Sequence, residues 1–219
     1  DNIVSKKLYI TGGIGATNHG EAFGKNYQLP NMSAYCETCA AIGNVYVNHR
    51  LFLLHGESKY YDVLERTLYN GLISGISLDG GGFFYPNPLQ SMGQHQRKPW
   101  FGCACCPSNV CRFIPSLPGY IYAVKDKDVY VNLFMSNEAN LTVGGKKVTL
   151  KQTTEYPWNG DVNVEVTTEA ESQEEVTEAV TEENTEAETE DVAEEATEEV
   201  TEEQEVQTVS EFNQDGLNG

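Results

Sequence analysis

No Lys or Arg follows Lys151, no uninterrupted apolar run approaches ~18 residues, and no basic cluster occurs anywhere in the 219 residues. The absence of a basic patch excludes an electrostatic nucleic-acid surface. The absence of a long apolar run excludes a membrane-spanning helix. Gly12-Gly13-Ile14-Gly15 is not followed by Lys-Ser/Thr at a helix start, so these glycines do not form a phosphate-cradling loop. The chain opens on Asp1 rather than Met and lacks the charged, apolar and small-residue segments of a signal peptide. The true N-terminus is therefore expected upstream, which leaves localisation open between cytoplasmic and extracellular.

The formal charge of -19 is unevenly spread. Residues 1–164 hold 14 bases against 12 acids, a balance of +2, whereas residues 165–219 hold 21 acids and no base. A near-neutral globular body is thus followed by an acidic Glu/Thr/Val/Ala tail. Low hydrophobicity with high net charge predicts disorder there, as a solubilising tail or an acidic interaction segment.

Residues 11–35 are rich in Gly, Asn and Pro and read as loop. From Thr38, Ala41, Ile42, Val45, His49 and Phe52 recur at helical spacing up to a stop at Gly56. Ser58 is placed to cap a second helix lined by Tyr61, Leu64, Leu68 and Leu72, giving an antiparallel hairpin. Phe83-Phe84-Tyr85 reads as a short extended run, and 108–117 as a further helix. From Tyr120 the period becomes two, with strands around 120–124, 129–134, 141–143, 148–150 and 162–164 and a hairpin turn at Gly144-Gly145.

Six cysteines could staple a small secreted domain. Their arrangement favours metal instead: Cys36 and Cys39 form one tight group, and Cys103, Cys105, Cys106 and Cys111 another about 65 residues on. Two spacing-based readings remain. Ligand counting favours a structural four-cysteine zinc made of Cys36, Cys39, Cys103 and Cys106. The other replaces one thiolate by Glu37 and leaves a reactive sulfur at Cys105. Glu21 lies in a Gly-rich loop, Asn18-His19-Gly20-Glu21-Ala22-Phe23-Gly24, that can present a side chain to a cleft.

An ordered series of segments runs from Tyr9-Ile-Thr-Gly-Gly-Ile-Gly15 through Gly20-Glu-Ala-Phe-Gly24, Leu29-Pro-Asn31 and Glu37-Thr-Cys-Ala-Ala41. It continues through Leu68-Tyr-Asn70, Phe84-Tyr-Pro-Asn-Pro-Leu89, Cys103-Ala-Cys-Cys-Pro107 and Tyr156-Pro-Trp158. In these segments the chain resembles glycoside hydrolase family 127, the β-L-arabinofuranosidases. The resemblance implies that residues 1–118 are the last part of an (α/α)6 catalytic barrel and 119–164 the start of an antiparallel β-sandwich, before the tail at 165–219. It implies a retaining, zinc-dependent hydrolase of β-L-arabinofuranosides in plant glycans, with Zn2+ held by Glu37, Cys39, Cys105 and Cys106. Cys105 falls on the nucleophile, Glu21 on the general acid/base and Tyr85 on a tyrosine lining the sugar pocket. His19 is a further candidate to touch that pocket, and Cys36 and Cys103 become neighbours of the site. Cys111 is expected to be a small buried apolar residue. The same resemblance leaves two other roles open, a structural zinc module without catalysis and a degenerate remnant acting through its tail. The substrate is a carbohydrate, with no nucleic-acid or membrane partner, and the oligomeric state is not predicted.

The family has several hundred residues of barrel upstream that contribute sugar contacts. The 219-residue chain alone is therefore expected to bind zinc poorly and to hydrolyse little, which a turnover assay on an aryl β-L-arabinofuranoside checks.

Overall fold

The computed structural model describes residues 1–168, and its order of elements is helices followed by antiparallel strands. The chain divides into a helical unit, 1–120, and a unit that begins at Ile121 and holds the strands. The acidic segment expected from residue 165 lies outside the described residues from 169 onward. No helix among the described residues is long and apolar enough to cross a membrane.

In the helical unit, α1 (Asn2–Lys6) precedes a long irregular stretch containing one 3-10 turn at His19–Glu21. The apolar spacing then gives α2 (Thr38–His55), which ends where Gly56 takes a left-handed conformation and its N–H reaches Phe52 O at 2.7 Å. Only Glu57 separates Gly56 from α3 (Ser58–Arg66). Glu57 occupies the N-cap position without a side-chain cap bond, and Ser58, expected as the cap, is the first helical residue. The two helices form the expected hairpin: the Tyr61 ring meets Phe52 edge-on at 4.6 Å, and Tyr61 Oη lies 2.9 Å from His49 Nδ1.

Beyond α3 the chain widens into a π turn at Thr67–Leu72 and a 3-10 turn at Ile73–Gly75. Buried Thr67 explains why the preceding loop docks here. Its hydroxyl reaches Val63 O (2.7 Å) and Gly12 O (3.1 Å) and accepts from Asn44 Nδ2 (3.1 Å). Asn48 in turn donates to Asn44 Oδ1 at 3.0 Å. Three buried polar side chains, Thr67, Asn44 and Asn48, thus bond one another and the carbonyls of Val63 and Gly12, which offsets the cost of removing them from water. Ile76, Phe83 and Lys98 form single antiparallel bridges, so the expected extended run at Phe83 is a strand-like clamp. The last helix, α4 (Cys105–Phe113), begins three positions before the expected 108, which puts both Cys105 and Cys106 in its first turn. It buries Cys106, Pro107, Val110 and Phe113 and passes into a 3-10 segment, Ile114–Tyr120.

In the second unit, β1 (Tyr122–Lys125) pairs antiparallel with β2 (Asp128–Val131). A separate sheet has the order β3 (Asn137–Val143), β4 (Lys146–Thr154), β5 (Val162–Thr168), also antiparallel. Gly144 and Gly145, at φ 57° and 81°, make the expected two-residue hairpin loop. Strand β5 runs to Thr168, past the boundary expected at 164, because its polar residues pair with β4 through Val148↔Thr168. Buried Gln152 donates to Tyr122 Oη at 2.9 Å, and Tyr122 donates to Asn137 Oδ1 at 3.1 Å, joining the two sheets at their core.

A Cβ at Gly12, where φ is +81°, would lie 2.6 Å from Thr67 Cα, whereas one at Gly20, φ +68°, would meet nothing within 4 Å. Gly12→Ala is expected to cost about 2–4 kcal/mol and Gly20→Ala about 1–2 kcal/mol from backbone strain alone. Urea unfolding of the two variants checks the difference.

Candidate active site

The site starts from a seam. Thr38, the first residue of α2, donates its backbone N–H to Tyr85 O (3.0 Å) and its hydroxyl to Phe84 O (2.9 Å). Asn87 Nδ2 donates to Cys36 O (2.9 Å) and to Thr38 Oγ1 (3.0 Å). These bonds set Glu37 and Cys39 beside Tyr85. The first turn of α4 supplies the rest, because α4 packs on α2 through Phe113 against Tyr46, ring centroids 5.9 Å apart.

One donor atom from each of Glu37, Cys39, Cys105 and Cys106 falls in a group whose members all lie within 4.8 Å of one another. Cys39 Sγ is 3.3 Å from Cys106 Sγ, and Cys105 Sγ is 3.9 Å from Cys106 Sγ. Glu37 Oε1 lies 3.5 Å from both Cys105 Sγ and Cys106 Sγ. Glu37 and Cys106 are buried, Cys39 and Cys105 half-buried. A carboxylate and three thiols so close together could hold a metal ion.

The electrostatics point the same way. Cys39 is brought down to about 7, first by its hydrogen bond with Cys106 and further by Asn109 Nδ2, 3.2 Å away. Its partners move the other way. Cys105 is pushed up to about 11, first by burial, and Cys106 is pushed up further, first by its hydrogen bond with Cys39. One thiolate therefore suppresses ionisation of its neighbours, the mutual exclusion expected of like charges in a confined site. A bound cation relieves that repulsion, since metal ligation requires the thiols to be deprotonated.

Around this cluster, Tyr85 Oη sits 2.9 Å from Cys105 Sγ, and its ring meets Phe101 edge-on at 5.5 Å. The Tyr85 phenol is pushed well up, first by this contact and then by burial, so it keeps its proton. While Cys105 is a thiol, its S–H donates to Tyr85 Oη; once ionised, it accepts the phenolic proton instead. Glu21 is exposed on its loop with φ +48°, and its Oε1 accepts a hydrogen bond from Tyr35 Oη at 3.0 Å. The Tyr35 and Tyr85 rings lie 6.3 Å apart. His19 shares the Glu21 turn, with its N–H on Thr17 Oγ1 at 3.1 Å. No hydrogen bond or ring contact among the described residues joins its imidazole to the cluster.

Of the two cysteine sets read from spacing, the one the structure brings together includes Cys105 and Glu37. Cys36 is turned into a core with Tyr9 and Ala34, where burial pushes its thiol up to about 12. Cys103 is exposed. Cys111 is also exposed rather than buried, because the inward face of α4 follows Cys106, Val110 and Phe113 and Cys111 falls on the other side. Sequence reasoning missed Tyr35 and Asn109. Asn109 could have been found, since it stands one turn after Cys105 on the same helix face. Tyr35 carries no signal beyond adjacency to Cys36.

The family model described as β-L-arabinofuranosidase, GH127 catalytic domain, matches residues 1–119, and the one described as GH127 middle domain matches 128–180. The chain belongs to glycoside hydrolase family 127. It is 40% identical over 174 residues to a non-reducing end β-L-arabinofuranosidase of Bifidobacterium longum subsp. longum, covering 74% of this chain and 26% of that protein. A solved family-127 β-arabinofuranosidase is 75% identical, with a TM-score of 0.75, over 76% of this chain and 26% of that one. A β-L-arabinofuranosidase of Geobacillus stearothermophilus T6 is 41% identical, with a TM-score of 0.73, over 77% and 28% respectively. The chain thus spans 26–28% of the length of these relatives.

Native protein treated with iodoacetamide at pH 8 is expected to be labelled at Cys103 and Cys111. Cys36 is expected to react only after unfolding. Peptide mass spectrometry of native and denatured samples checks this.

Proposed function

We propose that this chain carries the zinc–thiolate centre and the proton-transferring carboxylate of a retaining glycosidase that releases β-L-arabinofuranose from plant glycans. The observation that carries the reading is the convergence of Glu37, Cys39, Cys105 and Cys106, with Tyr85 Oη on the Cys105 sulfur. The donor set suits zinc. A tetrahedral site with Zn–S near 2.3 Å and Zn–O near 2.1 Å has S···S edges of about 3.8 Å and S···O edges of about 3.6 Å. The Cys105–Cys106 S···S separation of 3.9 Å and the S···O separations of 3.5 Å lie close to those values, and the Cys39–Cys106 separation of 3.3 Å is shorter. All four donors belong to one unit, which argues for metal binding by this chain itself, against the poor affinity expected from the sequence.

Zinc bound there would hold the thiols deprotonated and so supply a thiolate at neutral pH. Cys105 then serves as nucleophile. In the first displacement its sulfur bonds to the anomeric carbon while Glu21, as the carboxylic acid, gives its proton to the departing oxygen. In the second, Glu21 as carboxylate takes a proton from water, the water oxygen bonds to the anomeric carbon, and the sulfur departs. Tyr85 keeps its phenolic proton and orients the Cys105 sulfur. His19 is the proposed partner of a sugar hydroxyl, a reading its exposure on the turn beside Glu21 supports. Residues 1–118 are read as the closing part of an (α/α)6 barrel and the strands that follow, to Thr168, as the start of a β-sandwich. The match of the catalytic-domain model to residues 1–119 and of the middle-domain model to 128–180 supports a division near residue 119.

One zinc per chain is expected by metal analysis after dialysis. Cys36→Ala and Cys103→Ala should retain it. Glu37→Ala and Cys39→Ala should weaken binding by more than the roughly 10–100-fold caused by loss of an outer-shell partner. Retention by Glu37→Ala, with loss in Cys36→Ala and Cys103→Ala, would restore the four-cysteine reading, in which Cys39 is a ligand as well. In the full-length protein, Cys105→Ala should lower turnover by at least about 10³-fold. A Cys105→Ala variant with zinc and full turnover would remove the nucleophile assignment.

A further inference from the structure

Glu21 is poorly suited, by itself, to precise proton transfer. It is exposed, follows Gly20 at φ +68°, and stands at φ +48° on a turn held by backbone bonds between Thr17 and Ala22. A glutamate so placed has three free side-chain torsions, and fixing them costs conformational entropy. Among the described residues, the one hydrogen bond to its carboxylate comes from Tyr35 Oη, at 3.0 Å on Oε1.

Tyr35 is the opposite kind of residue. It is 8% exposed, its carbonyl accepts the Asn87 N–H at 2.9 Å, and the next residue, Cys36, is bound to Gly15 O at 2.9 Å. Its ring packs against Tyr85, whose hydroxyl meets Cys105. Tyr35 is therefore fixed to the same seam that carries Glu37, Cys39 and Tyr85, while its hydroxyl reaches out to the loop.

We propose that Tyr35 is the positioning residue for Glu21, setting the place of the carboxylate relative to the Cys105 sulfur and committing Oε1 so that Oε2 is the oxygen that gives and takes protons. The inference rests on the acid/base role of Glu21 given above. A phenol has one proton to donate, and here it goes to Oε1. In the protonated acid the acceptor oxygen is the carbonyl oxygen, which leaves the acidic hydrogen on Oε2. In the carboxylate form the same bond holds Oε2 toward the incoming water. Without Tyr35 the two oxygens exchange by rotation and the loop alone sets the distance. Misplacement of a proton donor falls most heavily on leaving groups that need protonation.

Tyr35→Phe keeps the ring and its contact with Tyr85 and removes only the hydroxyl. In the full-length protein it should lower kcat roughly ten- to hundredfold on alkyl or glycosyl leaving groups, with KM within about twofold. The loss in kcat/KM should be much smaller on 4-nitrophenyl β-L-arabinofuranoside, whose leaving group departs unaided. Zinc content should not change. In the Glu21→Gln background, Tyr35→Phe should add no further loss, because the two act as a unit. On the 219-residue chain itself, a crystal structure of Tyr35→Phe should show the Glu21 carboxylate displaced or in more than one rotamer, with the thiol cluster unmoved.

An equal loss across leaving groups, a full multiplicative loss on top of Glu21→Gln, or an unmoved Glu21 carboxylate would overturn the proposal. Glu21→Gln also separates the two claims. If that variant retains the wild-type rate on unactivated substrates, the acid/base role of Glu21 fails. If it loses the rate while Tyr35→Phe does not, only the positioning role fails.

Discussion

The two bonds by which Thr38 opens α2, N–H to Tyr85 O and hydroxyl to Phe84 O, form the contact on which the site depends. Helix starts leave backbone N–H groups without internal partners, and here one of them is met by another chain segment instead of a cap side chain. The consequence is geometric. Glu37 lies just before that start and Cys39 just after it, so fixing Thr38 to residues 84–85 fixes both donors and the Tyr85 ring together. Gly75 belongs to the same contact, since a Cβ there would lie 2.6 Å from Thr38 Oγ1. Asn87 closes the seam from the other side by holding the carbonyl of Cys36. Each pairing in a buried polar seam must be kept to avoid the cost of an unmet group, which fixes its register in a way that apolar packing alone does not.

The second half of the donor set is held by packing. Helix α4 carries Cys105 and Cys106 in its first turn and anchors itself with Val110 and Phe113, both almost fully buried. Tyr61, donating to Tyr120 O at 3.0 Å, ties the segment after α4 back to α3. The thiols therefore face Glu37 because two helices are locked at their far ends as well as at the site. The first turn of α4 favours a thiolate through its unpaired N–H groups. Burial acts more strongly in the opposite direction at Cys105, and that balance suits a sulfur whose ionisation awaits a cation.

The helices were legible in the sequence because their apolar periodicity and the Gly56 stop are local signals, and the β3–β4 hairpin because Gly144-Gly145 specifies its turn. Helix α4 starts at Cys105 rather than 108, with Pro107 inside its first turn, where proline is tolerated. The end of β5 was misplaced because its charged residues read as tail, whereas exposed positions of an edge strand accept charge freely. For the site, spacing identified which segments carry the donors but favoured the wrong partition of cysteines. A C-x-x-C count cannot distinguish Cys36, turned into the core by a backbone at φ +39°, from Glu37 beside it. The motif series points to Glu37 instead, whose Oε1 lies 3.5 Å from the Cys105 and Cys106 sulfurs while Cys36 packs with Tyr9 and Ala34.

Glu21 and Glu37 share a side chain and differ in everything that decides a role. Glu37 is 8% exposed, and its Oε1 lies 3.5 Å from two sulfurs, so its charge has little access to water and is spent on the cluster. Glu21 is exposed, far from any cysteine in its hydrogen bonding, and held through a tyrosine hydroxyl. A group that gives its proton to a leaving group and then takes one from the attacking water must meet that water, which an exposed carboxylate can do and a buried one cannot. The same comparison explains why the loop around Glu21 is strained and glycine-rich while the segment around Glu37 is clamped. Glu37 has to be immobile for four donor atoms to converge. In the proposed role Glu21 must meet water while being held from one side, and a rigid buried tyrosine offering a single hydroxyl meets both demands.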